Sequence, residues 1–96
     1  MLIELKKFGT TLVSRQAGRE ALAAYRPNLR TVGGDEIIEV NFDGVVTLAP
    51  SWGDEFLTPL LEEFGSRLIL GKTTNPSVVE TLDLLEKATG AKYQRR

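Results

Sequence analysis

A serine, a tryptophan, a glycine and two acids follow one another in the middle of the sequence, in the stretch "APSWGDEF" (residues 49–56). Ser51 and Asp54 fit the pattern in which a serine hydroxyl caps a helix by accepting a hydrogen bond from the backbone N–H three residues on. The start of a helix also suits a phosphate group, because free N–H groups and the helix dipole favour added negative charge. Ser51 is therefore a candidate helix N-cap and a candidate phosphoacceptor, and the local residues leave both interpretations open.

The stretch "GSRLILGKTTN" (residues 65–75) superficially resembles a phosphate-binding loop. Such a loop needs four residues between its first glycine and the Gly-Lys pair, so that backbone N–H groups can cradle the phosphates. Here five residues separate Gly65 from Gly71, and they include the apolar run at 68–70, which is typical of a strand. We therefore expect residues 71–74 to be an exposed strand-to-helix connection.

The catalytic inventory of the chain is poor. It contains no histidine, which is the commonest general base and a common metal ligand. It also contains no cysteine, which is a common nucleophile. The acidic pairs at residues 35–36, 54–55 and 62–63 are typical of solvated faces. We therefore expect no enzymatic activity, no metal and no cofactor.

Four arginines recur along and just past the first predicted helix. Their spacing gives that helix one basic face, which we expect to be a solvated edge paired locally with Glu20. The alternative is a docking patch for an acidic partner or for phosphate groups. The four are Arg15, Arg19, Arg26 and Arg30.

Composition and charge bound the class of protein. The chain has 96 residues, of which 42% are apolar and 26% are charged, as in a folded globular domain. The net charge of −1 provides no field that favours nucleic acid or a membrane surface. The opening "MLIELKKFG" is too short and too polar for a signal peptide, and no apolar run approaches a membrane span. We therefore expect a cytoplasmic protein with one domain over residues 1–91 and a frayed basic tail over residues 92–96.

The periodicities predict an α/β fold with a mostly parallel or mixed sheet of about four strands and three helices, in the order β(β)αβαβα. The strands are expected at residues 2–5, 36–42 and 67–71. A short strand at 11–13 would pair with the first, and "VVTL" would continue the layer of the strand at 36–42 after a bend or bulge. The helices are expected to follow Ser14, Ser51 and Asn75 as N-caps, and Pro27 should end the first near Arg26. The expected core is Ile3, Leu22, Ile37, Ile38, Val40, Val45, Phe56, Leu60, Leu68, Leu70, Val79 and Leu82.

The stretch "IIEVNFDGVVTLAPSWGDEFLTPLLEEFG" (residues 37–65) resembles the strand–turn–helix region of STAS domains, the fold of anti-anti-sigma factors. More closely it resembles a STAS-like family of unknown function, whose pattern is a strand, Asp-Phe-x-Gly-Val, Ser-x-Ser-Phe-x-[DN]-Glu and a helix. The earlier "FGTTLVSRQAGREAL" is similar to the opening of that family. The resemblance covers about residues 2–79. Asn41 stands where the family has an aspartate.

The resemblance implies protein binding in partner-switching regulation, often with a GHKL-type ATPase or kinase as the partner. In anti-anti-sigma factors the first serine of this loop is phosphorylated, but the aligned residue here is Pro50, which has no hydroxyl. Either Ser51 takes over the role or there is no phosphoswitch, and we favour the second. The implied partner-binding rim is Thr47, Pro50, Ser51, Trp52, Asp54 and Glu55.

The sequence thus predicts a non-enzymatic STAS-like protein-interaction module. Trp52 is either a contact anchor of that rim or a core residue of the second helix, and its helical register favours the core. Two other functions stay open. One is a small-molecule or nucleotide sensor that binds at the carboxyl ends of the strands. The other is a homodimeric scaffold that pairs the exposed edge strand of "LIEL" across two copies.

Overall fold

The computed structural model describes all 96 residues and contains three helices and six short strands. Two 3₁₀ turns, Leu5–Phe8 and Gly65–Arg67, join neighbouring elements. The helices are α1 (Arg15–Leu29), α2 (Pro50–Phe64) and α3 (Pro76–Thr89). The strands are β1 (Leu2–Glu4), β2 (Thr11–Leu12), β3 (Ile38–Asn41), β4 (Thr47–Leu48), β5 (Leu68–Leu70) and β6 (Gln94–Arg95).

The main sheet has four strands in the order β1-β3-β5-β6, and every neighbouring pair is parallel. Each connection between successive strands of this sheet carries one helix. Because such crossovers are right-handed and the strand order never reverses, all three helices pack on the same face. The α/β class, with three helices and a four-stranded sheet, is confirmed.

The core lies between the helices and this face of the sheet. Alternate strand residues point into it, so Ile38, Val40 and Leu68 are fully buried. Of the residues expected in the core, all except Ile37 and Val79 are buried. The ring of Trp52 stacks on Phe56 with centroids 4.9 Å apart, and Phe8 packs against both.

Two of the three predicted helix starts are confirmed. The Ser14 hydroxyl accepts a hydrogen bond from the N–H of Ala17 at 3.1 Å. The Asn75 side chain accepts from the N–H groups of Ser77 and Val78, with Pro76 as the first helical residue.

The predicted start of α2 at Ser51 is wrong. The helix begins at Pro50, with Ala49 in the N-cap position and no side-chain cap. Proline favours the first helical position because its φ is already helical and its missing N–H would be unpaired there. Ser51 is therefore the second residue of α2 and does not cap it.

Pro27 does not end α1, which continues to Leu29. Proline removes one hydrogen bond to the carbonyl four residues back, which here belongs to Ala23. Since Ala23 is exposed, its carbonyl can be solvated by water, and the last turn of the helix is retained.

Three predictions about the strands are wrong. Thr11–Leu12 does not pair with β1 across a turn, and Thr47–Leu48 does not extend the main sheet; instead they pair with each other, in parallel. The C-terminal residues are not a frayed tail, because Gln94–Arg95 forms the edge strand β6 beside β5. Tyr93 just before it is buried, so the folded domain extends past residue 91.

Candidate functional site

The rim predicted for partner binding lies around the start of α2, and apart from Ser51 the structure separates its residues into three groups. Trp52 is 1% exposed and belongs to the core, so it cannot anchor a partner. Asp54 and Glu55 face α1. Thr47 and Pro50 line a surface groove against α3.

The two acids form ion pairs with the arginines of α1. Arg15 Nη1 lies 2.9 Å from Asp54 Oδ2 and 3.3 Å from Glu55 Oε1, and Arg19 Nη2 lies 3.3 Å from the same Glu55 oxygen. The hydrogen bond from Arg15, helped by one from the Thr58 hydroxyl, lowers the pKa of Asp54. These contacts place the acids in the α1–α2 interface.

The basic face of α1 is therefore paired with α2. Arg26 also pairs with Glu63 near the far end of α2. Glu20, the partner expected from the sequence, instead accepts a hydrogen bond from Gln16. Arg15, Arg19 and Arg26 therefore do not pair with Glu20, and they do not form a free basic patch for an acidic partner, because acids of α2 already pair with them.

Ser51 is half-buried in the first turn of α2, next to Pro50 on the surface. The free backbone N–H groups at the start of α2 lie near Ser51 and would favour a phosphate group there. Asp54 and Glu55, about one turn further on, would repel it. The structure thus removes the N-cap explanation of Ser51 and leaves its modification a prediction.

A groove of about 310 Å³ lies between the β4–α2 junction and α3, and we call it the α2–α3 groove. Its rim carries an exposed leucine, Leu84, at 49% exposure, and an exposed acid, Glu80. Val46, just before β4, is 64% exposed and is the most exposed large apolar side chain of the chain. The groove is lined by Thr47, Leu48, Ala49, Pro50, Ser77, Glu80, Thr81 and Leu84.

The floor of the groove is held by hydrogen bonds between α3 and the backbone of β4. The buried Thr81 hydroxyl donates to the Leu48 carbonyl at 2.6 Å. The Ser77 hydroxyl accepts from the Leu48 N–H at 3.0 Å and donates to the Leu48 carbonyl at 3.3 Å. Asn75 donates to the carbonyls of Val45 and Val46 just upstream. The groove is consequently preorganised.

A second, more polar cleft of about 390 Å³ lies at the carboxyl ends of β3 and β5. It includes residues 72–75, and Lys72 and Thr74 are exposed, which confirms the expected strand-to-helix connection. The N–H groups of Ser77 and Val78 at the start of α3 are already occupied by Asn75. They are therefore not available to bind an anion in this cleft.

Sequence reasoning missed the α3 side of the groove. Leu84 lies off the inward stripe of Val78, Leu82 and Leu85, and such an off-stripe leucine is the signal that could have identified it. Ser77 and Thr81 carry no comparable signal, because hydroxyls in a helix have many uses. Their role depends on the approach of β4, which is set by tertiary structure.

None of the protein-family models matches the chain, and no match is found among the curated proteins or the solved structures. None of the three helices has the length and apolar character needed to cross a membrane.

Proposed function

We propose that this chain is a non-enzymatic, STAS-like protein-interaction module that binds a protein partner in the α2–α3 groove. The observation that supports it is the groove itself, in which a fixed backbone floor is bordered by the exposed Leu84 and by Pro50. A preorganised surface loses little conformational entropy when a partner binds. Two residues of the rim expected from the sequence, Thr47 and Pro50, contribute to it.

The chemistry of the groove defines the partner surface that would fit. Leu84 and Pro50 favour an apolar side chain, for which the groove provides space. Glu80 is exposed on the same wall, so a basic residue beside that apolar side chain would be complementary in charge. The partner surface we propose is an apolar side chain flanked by lysine or arginine.

The class of partner rests on the resemblance to STAS-like proteins, which implies a GHKL-type ATPase or kinase. We propose a docking site without a phosphoswitch. Proline occupies the position of the phosphorylated serine of anti-anti-sigma factors, and Ser51 lies half-buried inside the first turn.

The experiment is quantitative co-purification of the tagged chain from its native cells, followed by identification of captured proteins by mass spectrometry. Leu84→Glu places a charge on the groove wall, and we expect it to reduce recovery of the specific partner at least tenfold. Ala24→Glu is the matched control, because it introduces the same charge at an exposed helical residue of α1. Equal recovery with both variants, or no reproducible protein partner, would refute the proposal.

A further inference from the structure

The polar cleft at the carboxyl ends of β3 and β5 shares no lining residue with the α2–α3 groove. One wall is the turn that follows β3 (residues 42–45), and the other is the connection that follows β5 (residues 72–75). In open parallel sheets, ligands bind outside the carboxyl ends of the strands. The volume of about 390 Å³ is within the range of about 300–1,000 Å³ typical of small-molecule sites. The cleft therefore has the place and the size of a site for a small ligand.

Each wall carries one charged side chain that is exposed and unpaired. Asp43 on the first wall and Lys72 on the second form no ion pair, either with each other or with any other residue. The neighbouring Lys6, whose side chain packs on Gly44, has its ammonium group 3.9 Å from Glu4 Oε1. Both charges of the cleft are thus available to a ligand.

The two walls are joined by hydrogen bonds. The Asn75 side chain donates to the carbonyl of Val45 at 2.8 Å and to that of Val46 at 3.1 Å, which ties the second wall to the first. Within the first wall, the Asp43 N–H donates to Asn41 Oδ1 at 2.7 Å. A ligand would consequently bind with little loss of backbone conformational entropy.

The second wall also has free hydrogen-bond donors. The backbone N–H groups of Lys72, Thr73 and Thr74 make no hydrogen bond within the chain. Free backbone N–H groups beside an ammonium group favour an anion. An anionic group of a ligand is therefore best placed on this wall.

The two charges select the class of ligand. A phosphate group would be attracted by Lys72 but repelled by Asp43 on the opposite wall. The Lys72 ammonium only donates hydrogen bonds and the Asp43 carboxylate only accepts them, so a ligand with one carboxylate and one ammonium group satisfies both. We infer that this cleft binds a free α-amino acid, with its carboxylate toward Lys72 and its ammonium group toward Asp43.

The test is thermal unfolding of the full chain with each of the common L-amino acids at up to about 10 mM, a concentration that populates even complexes with a Kd of about 1 mM. At least one amino acid should raise the Tm, and the rise should saturate. Acetate, methylammonium and inorganic phosphate at the same concentration should each raise it less. The amide chemical shifts that change in an NMR titration should lie mainly in residues 42–45 and 72–75.

Asp43→Asn and Lys72→Gln each remove one charge from the cleft and should weaken binding of that amino acid at least tenfold in the NMR titration. Asp35→Asn and Lys87→Gln are the matched controls, because these side chains are also exposed and unpaired but lie outside the cleft. Both controls should bind as the wild type does. No saturable binding of any amino acid, tighter binding of phosphate, or equal affinity in the cleft and control variants would overturn the inference.

Discussion

The first turns of α2 meet their two neighbouring helices in different ways. Toward α1 the contact is made by backbone: a Cβ built on Gly18 would lie 2.7 Å from the Trp52 carbonyl oxygen. Toward α3 the contact is made by side chains: a Cβ on Gly53 would lie 3.1 Å from Leu85 Cδ1 and 3.3 Å from Thr81 Cγ2. The α1 side is sealed by backbone contact and ion pairs, whereas the α3 side opens into the groove.

This difference determines which side chains are already paired within the chain and which face solvent. The family resemblance places Asp54 and Glu55 in a partner-binding rim, yet they form ion pairs with Arg15 and Arg19 within the chain. The open groove lies on the other flank, where Leu84 of α3, which the sequence did not single out, joins Thr47 and Pro50. Four substitutions test the contrast between the two sides of α2.

The largest effect is expected for Gly18→Ala. Its new methyl group meets backbone atoms, which cannot move aside, and overpacking of this kind costs about 1–3 kcal/mol. The better helix propensity of alanine, about 1 kcal/mol, offsets only part of that. Urea unfolding should show a lower free energy of unfolding. Gly53→Ala is the control, since side-chain ends can shift, and it should change stability by less; equal losses would contradict the contrast between the flanks.

Thr81→Val keeps the shape of a buried side chain and removes the hydroxyl that donates to Leu48. We expect a loss of about 1 kcal/mol in the free energy of unfolding, because a buried hydrogen bond is lost. Thr89→Val removes a hydroxyl from the exposed end of the same helix, where it bonds to the Leu85 carbonyl, and should cost less. If thermal unfolding shows equal losses for the two variants, the hydrogen bond to β4 does not hold the groove floor.

Asp54 should make stability depend on pH at the α1–α2 interface. Its pKa is lowered by Arg15 and Thr58, so its ionised form is favoured by folding. The stabilisation is present above the unfolded-state pKa of about 3.9 and is lost as the pH falls through the lower folded-state pKa. Asp54→Asn should lower the Tm at pH 7, and the difference from wild type should shrink in acid. A difference that grew in acid would contradict the pairing with Arg15.

The smallest effect is expected for Ser51→Ala. Because Ser51 does not cap α2, its substitution should change the free energy of unfolding by less than about 0.5 kcal/mol. Ser14→Ala is the matched comparison, since Ser14 does cap α1, and it should cost about 1 kcal/mol. A loss for Ser51→Ala as large as that for Ser14→Ala, measured by urea unfolding, would restore the capping interpretation.

Local signals in the sequence were sufficient for much of the fold. The Asn75-Pro76 pair places a capping side chain and a first-turn proline together, and Ser14 precedes a clear helical periodicity. Both are confirmed because their hydrogen bonds are made within a few residues. Pro50 carried the same information as Pro76, but the Ser-x-x-Asp pattern that begins at the next residue favoured Ser51 as the N-cap and shifted the predicted helix start by two residues.

Contacts between distant segments were not predictable in the same way. Thr11–Leu12 pairs with Thr47–Leu48, and nothing in either two-residue strand specifies the other. The short edge strand β6 forms because β5 leaves an unpaired edge, while its own residues read as a basic tail. For the candidate site, Thr47 and Pro50 could be identified from the sequence, whereas Leu84 and Thr81 join them only once α3 packs beside β4.

The most direct test of the proposed function is site-specific photo-crosslinking in native cells, with the photoreactive side chain placed at position 84. The account predicts one discrete adduct with a protein that carries a GHKL-type ATPase domain. The same side chain at position 24, exposed on α1, should give no such adduct. No adduct at position 84, or equal adducts at both positions, would contradict a docking site in the α2–α3 groove.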